Sequence, residues 1–132
     1  MSAEPILRLE NVSKRFADFF ALSEINLEIQ EGEFLTIVGP SGSGKTTLIR
    51  ILVGIEELTE GKIWLRNTRI EQLPANLRPT CMVFQSLALF PHRSVGENIE
   101  FPLKLRKQDP KRRRARANEL LDLLHLPQSF YE

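Results

Sequence analysis

Cysteine is almost absent from this 132-residue chain; Cys81 stands alone. A single cysteine excludes an internal disulfide and suits a reducing compartment. An excess of either charge is missing as well. Eighteen Lys and Arg against seventeen Asp and Glu leave a net charge of +1, so the chain as a whole makes no electrostatic claim on nucleic acid. No apolar run approaches the ~20 residues of a membrane-crossing helix. Met1 to Glu10 carries acidic residues and lacks the apolar core of a signal peptide. Internal repeats and low-complexity tracts are also missing. The reading is a cytosolic, soluble chain, able to attach to a membrane protein. Its length fits one domain, or part of one, large enough to bury a core.

Glycine is sparse, seven in all, yet three of the seven fall within six residues. Gly39 to Thr47 reads G-P-S-G-S-G-K-T-T and follows the apolar run Phe34-Leu35-Thr36-Ile37-Val38. The segment fits the phosphate-binding loop G-x-x-x-x-G-K-[ST], with Gly39, Gly44, Lys45 and Thr46 at the fixed positions. A nucleoside triphosphate is a dense cluster of negative charge and needs many short donors and little bulk. Gly39, Gly42 and Gly44 tolerate positive φ, so successive N–H groups can point into one concavity. The following helix presents its unpaired N-terminal N–H groups to the same anion. Lys45 would reach the β- and γ-phosphates, and the Thr46 hydroxyl would bind a Mg²⁺ bridging them. Pro40, Ser41, Ser43 and Thr47 complete the expected ATP-binding segment. The flanks agree. Phe34–Val38 reads as a buried parallel strand. Leu48, Ile51, Leu52 and Ile55 recur at i, i+3, i+4 and i+7, one apolar face of a helix.

The remaining pattern supplies further elements. Ile6–Val12 and Ala21–Ile29 alternate as half-exposed strands. Glu31-Gly32-Glu33 is a turn, and the helix after the loop ends near Gly54. Thr59-Glu60-Gly61-Lys62 reads as a turn leading to a strand at Ile63, Trp64 and Leu65. Pro74 and Pro79 bracket a loop. Thr80–Gln85 then reads as a second buried strand, with Cys81 as strand packing. Ser94 is an N-cap with Glu97 three residues on, a capping box, and Pro102 cuts that helix short. Pro110 opens a longer basic helix with Ala117, Leu120, Leu121 and Leu124 on one face, ended by Pro127. His92 has no partner carboxylate or second histidine beside it and reads as neither ligand nor base. His125 suits a helix C-terminus. The basic stretch Lys104–Arg116 lacks an interleaved aromatic for base stacking and reads as a solvated helix face, so no nucleic acid is expected.

Three segments in order, "LRLENVSKRF", the run from "ALSEINLEIQEGEF" through "GPSGSGKTT" to "EGKIWL", and "MVFQSLALFPHRSVGENIEFPLKL", resemble the ATP-binding subunit of ABC transporters, the importer type in particular. The resemblance covers essentially the whole chain. It implies an α/β fold of the P-loop NTPase type, an ABC ATPase domain represented by its N-terminal portion. That portion comprises an antiparallel β subdomain, part of a parallel core sheet and the start of a helical subdomain. Residues 1–103 would form the nucleotide-binding core with the β subdomain, and 104–132 the start of the helical one. Phe16 would stack on adenine, although Phe19 and Phe20 lie close by. Gln85 would meet Mg²⁺ or the attacking water, so Lys45 and Gln85 are the expected catalytic residues, and Thr46 and Gln85 the metal-binding ones. Ser86–Val95 resembles the surface that receives the permease subunits, which places the family on the inner face of the cell membrane. A second ATPase subunit would be a further partner. The expected function is ATP-driven solute uptake, in the group of polyamine, iron, sulfate and sugar importers, with spermidine/putrescine favoured.

The family's L-S-G-G-Q signature, its Walker B strand ending in Asp-Glu and its switch histidine do not occur here. Leu120-Leu121-Asp122-Leu123-Leu124 is spaced as a helix rather than a buried strand. The chain therefore reads as the N-terminal half of such an ATPase, with its parallel strands left exposing an edge or a face. Alone it is expected not to hydrolyse ATP. The alternatives are a nucleotide-binding fragment without turnover and a different P-loop NTPase. No guanine-reading N-K-x-D motif is present.

Overall fold

The computed structural model describes residues 4–86 and 88–132. Met1–Ala3, part of the N-terminal stretch read above, and Leu87, within Ser86–Val95, lie outside the described residues. The chain divides into two compact units, one ending at Val83 and one running from Phe84 to Glu132.

The first unit is built on a four-stranded antiparallel sheet. β1 (Leu7–Phe16) and β2 (Phe19–Ile29) form a hairpin, and β3 (Glu60–Leu65) and β4 (Thr68–Arg69) follow, in the order β2-β1-β3-β4. Both long strands exceed their sequence-derived bounds, because alternation breaks where the ladder bulges. The buried positions step from Leu9 to Val12, and the register to β2 shifts there. Asn11 at φ 50° and Glu24 at φ 45° absorb the extra residues. The groups freed by the bulges find partners. The Asn11 N–H donates to Asn26 Oδ1 and Asn26 Nδ2 to Asn11 Oδ1, both at 3.0 Å, while the Glu24 N–H donates to Ser13 Oγ at 2.9 Å.

Helix α1 (Lys45–Val53) buries Leu48 and Ile51 with Leu9, Val12, Leu22, Ile63 and Ile70. Each such side chain contributes about 1.5–3 kcal/mol on burial. This cluster seats the N-terminus of α1 against β2. The helix ends as the sequence indicates. Gly54 is left-handed at φ 90°, and its N–H bonds back to Arg50 and Ile51 carbonyls. Arg78 completes that end. Its buried guanidinium donates to the carbonyls of Ile51 (2.8 Å), Leu73 (2.7 Å) and Glu71 (3.2 Å). Burial pushes the Arg78 guanidinium's pKa down, opposed by the charge of Glu71.

The second unit pairs α2 (Val95–Leu105) with α3 (Pro110–Leu123), and a 3₁₀ turn at Gln128–Tyr131 packs on both. The capping box forms as read. Glu97 N–H donates to Ser94 Oγ at 3.2 Å, and Ser94 N–H to Glu97 Oε2 at 3.1 Å. The tip of α2 is held by Tyr131, whose ring lies on Gly96 and whose hydroxyl donates to buried Glu100 at 2.8 Å. Arg113 approaches the same carboxylate, and the Arg114 guanidinium lies 4.6 Å from the Tyr131 ring centroid.

Several expectations need correcting. Phe34–Val38 and Thr80–Gln85 join no ladder, and Phe34, Val38 and Val83 are 94%, 87% and 90% exposed. A parallel strand is held by neighbours on both edges and layers on both faces; among the described residues none pairs with either run. Cys81 is accordingly exposed instead of packed in a strand. Glu60, Gly61 and Lys62 belong to β3 and not to a turn. Gly61 reads as turn punctuation, yet its role is close approach. At φ 109° a Cβ there would lie 2.5 Å from the Asn11 carbonyl oxygen. Pro102 does not cut α2 short, since the helix continues to Leu105. On α3, Ala117 and Leu121 are buried, but Leu124 is 65% exposed because the helix stops at Leu123. The run Leu120–Leu123 is helical, as its spacing requires.

Candidate functional site

The loop Gly39–Thr47 leaves the first unit's core through a turn closed by the Ser43 N–H on the Pro40 carbonyl at 3.2 Å. Gly42 and Gly44 have φ of 82° and 94°, the left-handed region that favours glycine. Gly44 is doubly constrained. A Cβ there would stand 2.5 Å from the Ala21 carbonyl oxygen and 3.0 Å from Leu22 Cδ2, both on β2. At Gly39 a Cβ would meet Ser43 Oγ at 2.8 Å. Gly44 is also the N-cap of α1, with no side-chain cap and no acidic residue in the first turn. The first-turn amides of a helix have no intrahelical acceptors, so this end is a set of donors with a positive dipole end and no competing carboxylate.

The Lys45 ammonium is drawn back into the loop. It donates to the Gly39 carbonyl, to the Pro40 carbonyl at 2.7 Å and to Ser43 Oγ at 3.1 Å. An ammonium has three donors, and the loop's own neutral acceptors take all of them. These bonds are already charge-assisted from the donor side; a phosphate oxygen replacing one of these acceptors would bring an opposite charge to the ammonium in place of a neutral dipole. The cation is thus held at the loop, ready to exchange acceptors.

Ser41–Thr47, Ala21, Phe16 and Phe19 line one cavity of about 510 Å³. The structure therefore brings Phe16 together with most of the phosphate-loop residues. Gly39 and Pro40 instead face the Lys45 ammonium through their carbonyls. The aromatic positions are separated by the hairpin. Phe16 and Phe19 are cross-strand partners flanking Ala17-Asp18. Phe20 pairs with Arg15, whose guanidinium lies 5.6 Å from its ring centroid, and it does not line the cavity.

Sequence reasoning missed Lys14 and Glu56. The Lys14 ammonium sits 4.8 Å from the Phe16 ring centroid and 2.8 Å from Glu56 Oε1. Lys14 and Phe16 lie two apart on one strand, hence on one face, which was a usable signal. Nothing local pointed to Glu56.

Gln85 lies in the second unit, exposed, in a turn with Ser86. In Ser86–Val95 the described residues Leu89, Pro91, His92 and Val95 are exposed around a clamped backbone. The clamp is Asn98, also missed. The Phe90 N–H donates to its Oδ1 at 2.9 Å, and its Nδ2 donates to the carbonyls of Phe90, Arg93 and Ser94 at 3.2, 3.3 and 2.8 Å. Phe90 itself packs on Phe101 with centroids 4.7 Å apart. The basic run is partly engaged within the unit, by Arg113, Arg114 and an Arg116–Glu119 pair at 3.0 Å. Among the described residues no helix is long and apolar enough to cross a membrane.

The model of the ABC transporter family matches residues 22–131. A spermidine/putrescine import ATP-binding protein of Roseobacter denitrificans is 49% identical over 120 residues, covering 91% of this chain and 33% of that protein. A probable sulfate/thiosulfate import ATP-binding protein of Chlorella vulgaris is 47% identical over 118 residues, 89% of this chain and 50% of that protein. This chain thus spans a third to a half of these curated relatives. Among solved structures, a dimeric ATP-binding cassette in a post-hydrolysis state, bound to ADP and Pi, superposes with a TM-score of 0.80 at 34% identity, covering 95% of this chain and 60% of that one.

Proposed function

This chain belongs to the ABC transporter family, its fold the N-terminal portion of an ABC ATPase cassette, and from that premise we propose that it is the nucleotide-binding part of an import ATP-binding subunit. The observation that carries the reading is the loop. Left-handed Gly42 and Gly44, an uncapped α1 N-terminus and the Lys45 ammonium converge beside a cavity that Phe16 also lines. In this reading the Gly39–Thr47 loop holds the phosphates of ATP through the backbone N–H groups of its cavity-lining part, Ser41–Thr47, Lys45 meets the β- and γ-oxygens, and Phe16 the adenine.

Mg²⁺ fits the donor set. Thr46, an exposed residue, lines the cavity and carries a hydroxyl oxygen. Mg²⁺ in such sites is held by few protein oxygens together with phosphate and water. Held there, the ion would neutralise negative charge on the phosphates. The role of Gln85 toward the ion or the attacking water, and the division at residue 104, rest on the family resemblance.

ATP titration into the chain tests the reading. Lys45→Ala should weaken binding by about tenfold or more, the scale of one lost charge-assisted contact of ~1.5–3 kcal/mol. Undiminished binding by that variant would overturn it. We also propose that the chain by itself binds without turnover, since its sequence holds no signature and no Walker B acid. Phosphate release from Mg-ATP that Lys45→Ala abolishes would sink this second point.

The import assignment follows relatives named for spermidine/putrescine and for sulfate/thiosulfate. Polyamine uptake is the favoured cargo. Docking of permease subunits on Ser86–Val95, at the inner face of the membrane, is supported by the exposed Leu89, Pro91 and Val95 on a backbone that Asn98 holds fixed. A second ATPase subunit is the further expected partner, as in the dimeric cassette.

A further inference from the structure

We propose that Phe19 is a second nucleobase-stacking residue, a ring face that Phe16 alone does not supply. The inference rests on reading the loop as a phosphate site. Phe16 and Phe19 are cross-strand partners at the end of the hairpin and line the same cavity as Ser41–Thr47. Directly opposed residues in an antiparallel pair have Cβ atoms roughly 4.5–5.5 Å apart, so two rings flank one entrance.

They are not equivalent. The Lys14 ammonium lies 4.8 Å from the Phe16 centroid and is tied to Glu56 at 2.8 Å, with only 12% of its side chain exposed. An anchored cation of this kind occupies one π-face, leaving a flat ligand only the other. Phe19 carries no such cation among the described contacts and is 61% exposed, against 42% for Phe16. A phenylalanine this exposed adds little to the core, and its side chain lines the cavity that Ser41–Thr47 also lines. The ligand feature recognised is therefore the π-face of a base. Because every base has one, stacking is tolerant of identity. The contribution of Phe19 is affinity shared by adenine and guanine nucleotides rather than choice between them.

The test compares Mg-ATP, Mg-GTP and inorganic tripolyphosphate, titrated into the full chain and its variants. Phe19→Ala should weaken both nucleotides about tenfold, within the span of one base–aromatic stack, and leave tripolyphosphate unchanged. Phe19→Leu keeps apolar bulk in the hairpin and should lose the same affinity, whereas Phe19→Tyr should retain it. An equal loss for tripolyphosphate would mean that Phe19 only supports the hairpin, and would overturn the proposal. Nucleotide affinity unchanged in Phe19→Ala would do so as well. If the unmodified chain binds tripolyphosphate and only the Phe19 variants behave neutrally, the phosphate-site reading survives without this residue. If the unmodified chain fails to bind tripolyphosphate, both fall.

Discussion

Glycines of one motif differ in what they do. Gly42 and Gly44 share the left-handed backbone, but a Cβ at Gly42 meets nothing within 4 Å, while one at Gly44 strikes the Ala21 carbonyl and Leu22. The backbone term alone costs of order 1–3 kcal/mol for a residue with a side chain. Gly42→Ala should therefore lower stability by about 1–2 kcal/mol and chiefly impair nucleotide binding. Gly44→Ala adds a clash with β2 and should cost more, separating the hairpin from α1. Urea unfolding of the two variants side by side checks the order, and equal midpoints would refute it. Glu71 sets a pH limit in the same unit. Burial raises its pKa, but the hydrogen bond from Arg69, backbone N–H groups and the Arg69 charge outweigh that, and the net shift is downward from 4.5. A carboxylate with a depressed folded-state pKa contributes stability that is fully present above its unfolded value and lost as pH falls through the folded one. Acid unfolding below about pH 4 should be shallower in Glu71→Gln than in the unmodified chain.

At the scale of elements, the start of α2 is held by a polar clamp beside its apolar packing. Asn98 satisfies groups on Phe90, Arg93 and Ser94, and Ser94 with Glu97 closes the capping box. Ser94→Ala should cost about 1 kcal/mol, the usual worth of an N-cap. Asn98→Ala should cost about 1–3 kcal/mol, since it leaves backbone groups unpaired, and should free the loop before the helix. Hydrogen exchange at Phe90 reads this directly, and retained protection in Asn98→Ala would contradict it. The capping box was legible because its partners lie three residues apart, whereas the partners of Asn98 reach back eight residues with no periodic signal. The same distinction runs through the site. The glycine loop with its left-handed Gly42 and Gly44, helix α1 and its stop at Gly54 are local chemistry and stood in the sequence. The bulges at Asn11 and Glu24, the guanidinium of Arg78 under the end of α1 and the Lys14–Glu56 pair beside Phe16 are products of sheet register and tertiary contact. No window along the chain carries them.

The parallel strands were read from composition, and composition describes the environment a segment needs rather than one it finds. Phe34–Val38 and Thr80–Gln85 have the apolar content of doubly buried strands, yet among the described residues both lie unpaired, Phe34–Val38 exposed throughout and Thr80–Gln85 for the most part, in a chain that covers 60% of the cassette it superposes on. Unpaired N–H and C=O groups beside exposed Phe34, Val38 and Val83 form a template for another chain. The 132-residue chain should therefore bind the dye ANS in its folded state and associate reversibly as its concentration rises. Phe34→Ser with Val38→Ser should reduce both effects and leave the antiparallel sheet intact, because neither residue belongs to the core around Leu9, Ile51 and Ile63. Sedimentation velocity over a concentration series, with circular dichroism as control, separates the possibilities. A monomer at every concentration without dye binding would show that these runs are covered in solution. Association unchanged in the double variant would move the sticky surface elsewhere, with the exposed leucines at the end of α3 the next place to substitute.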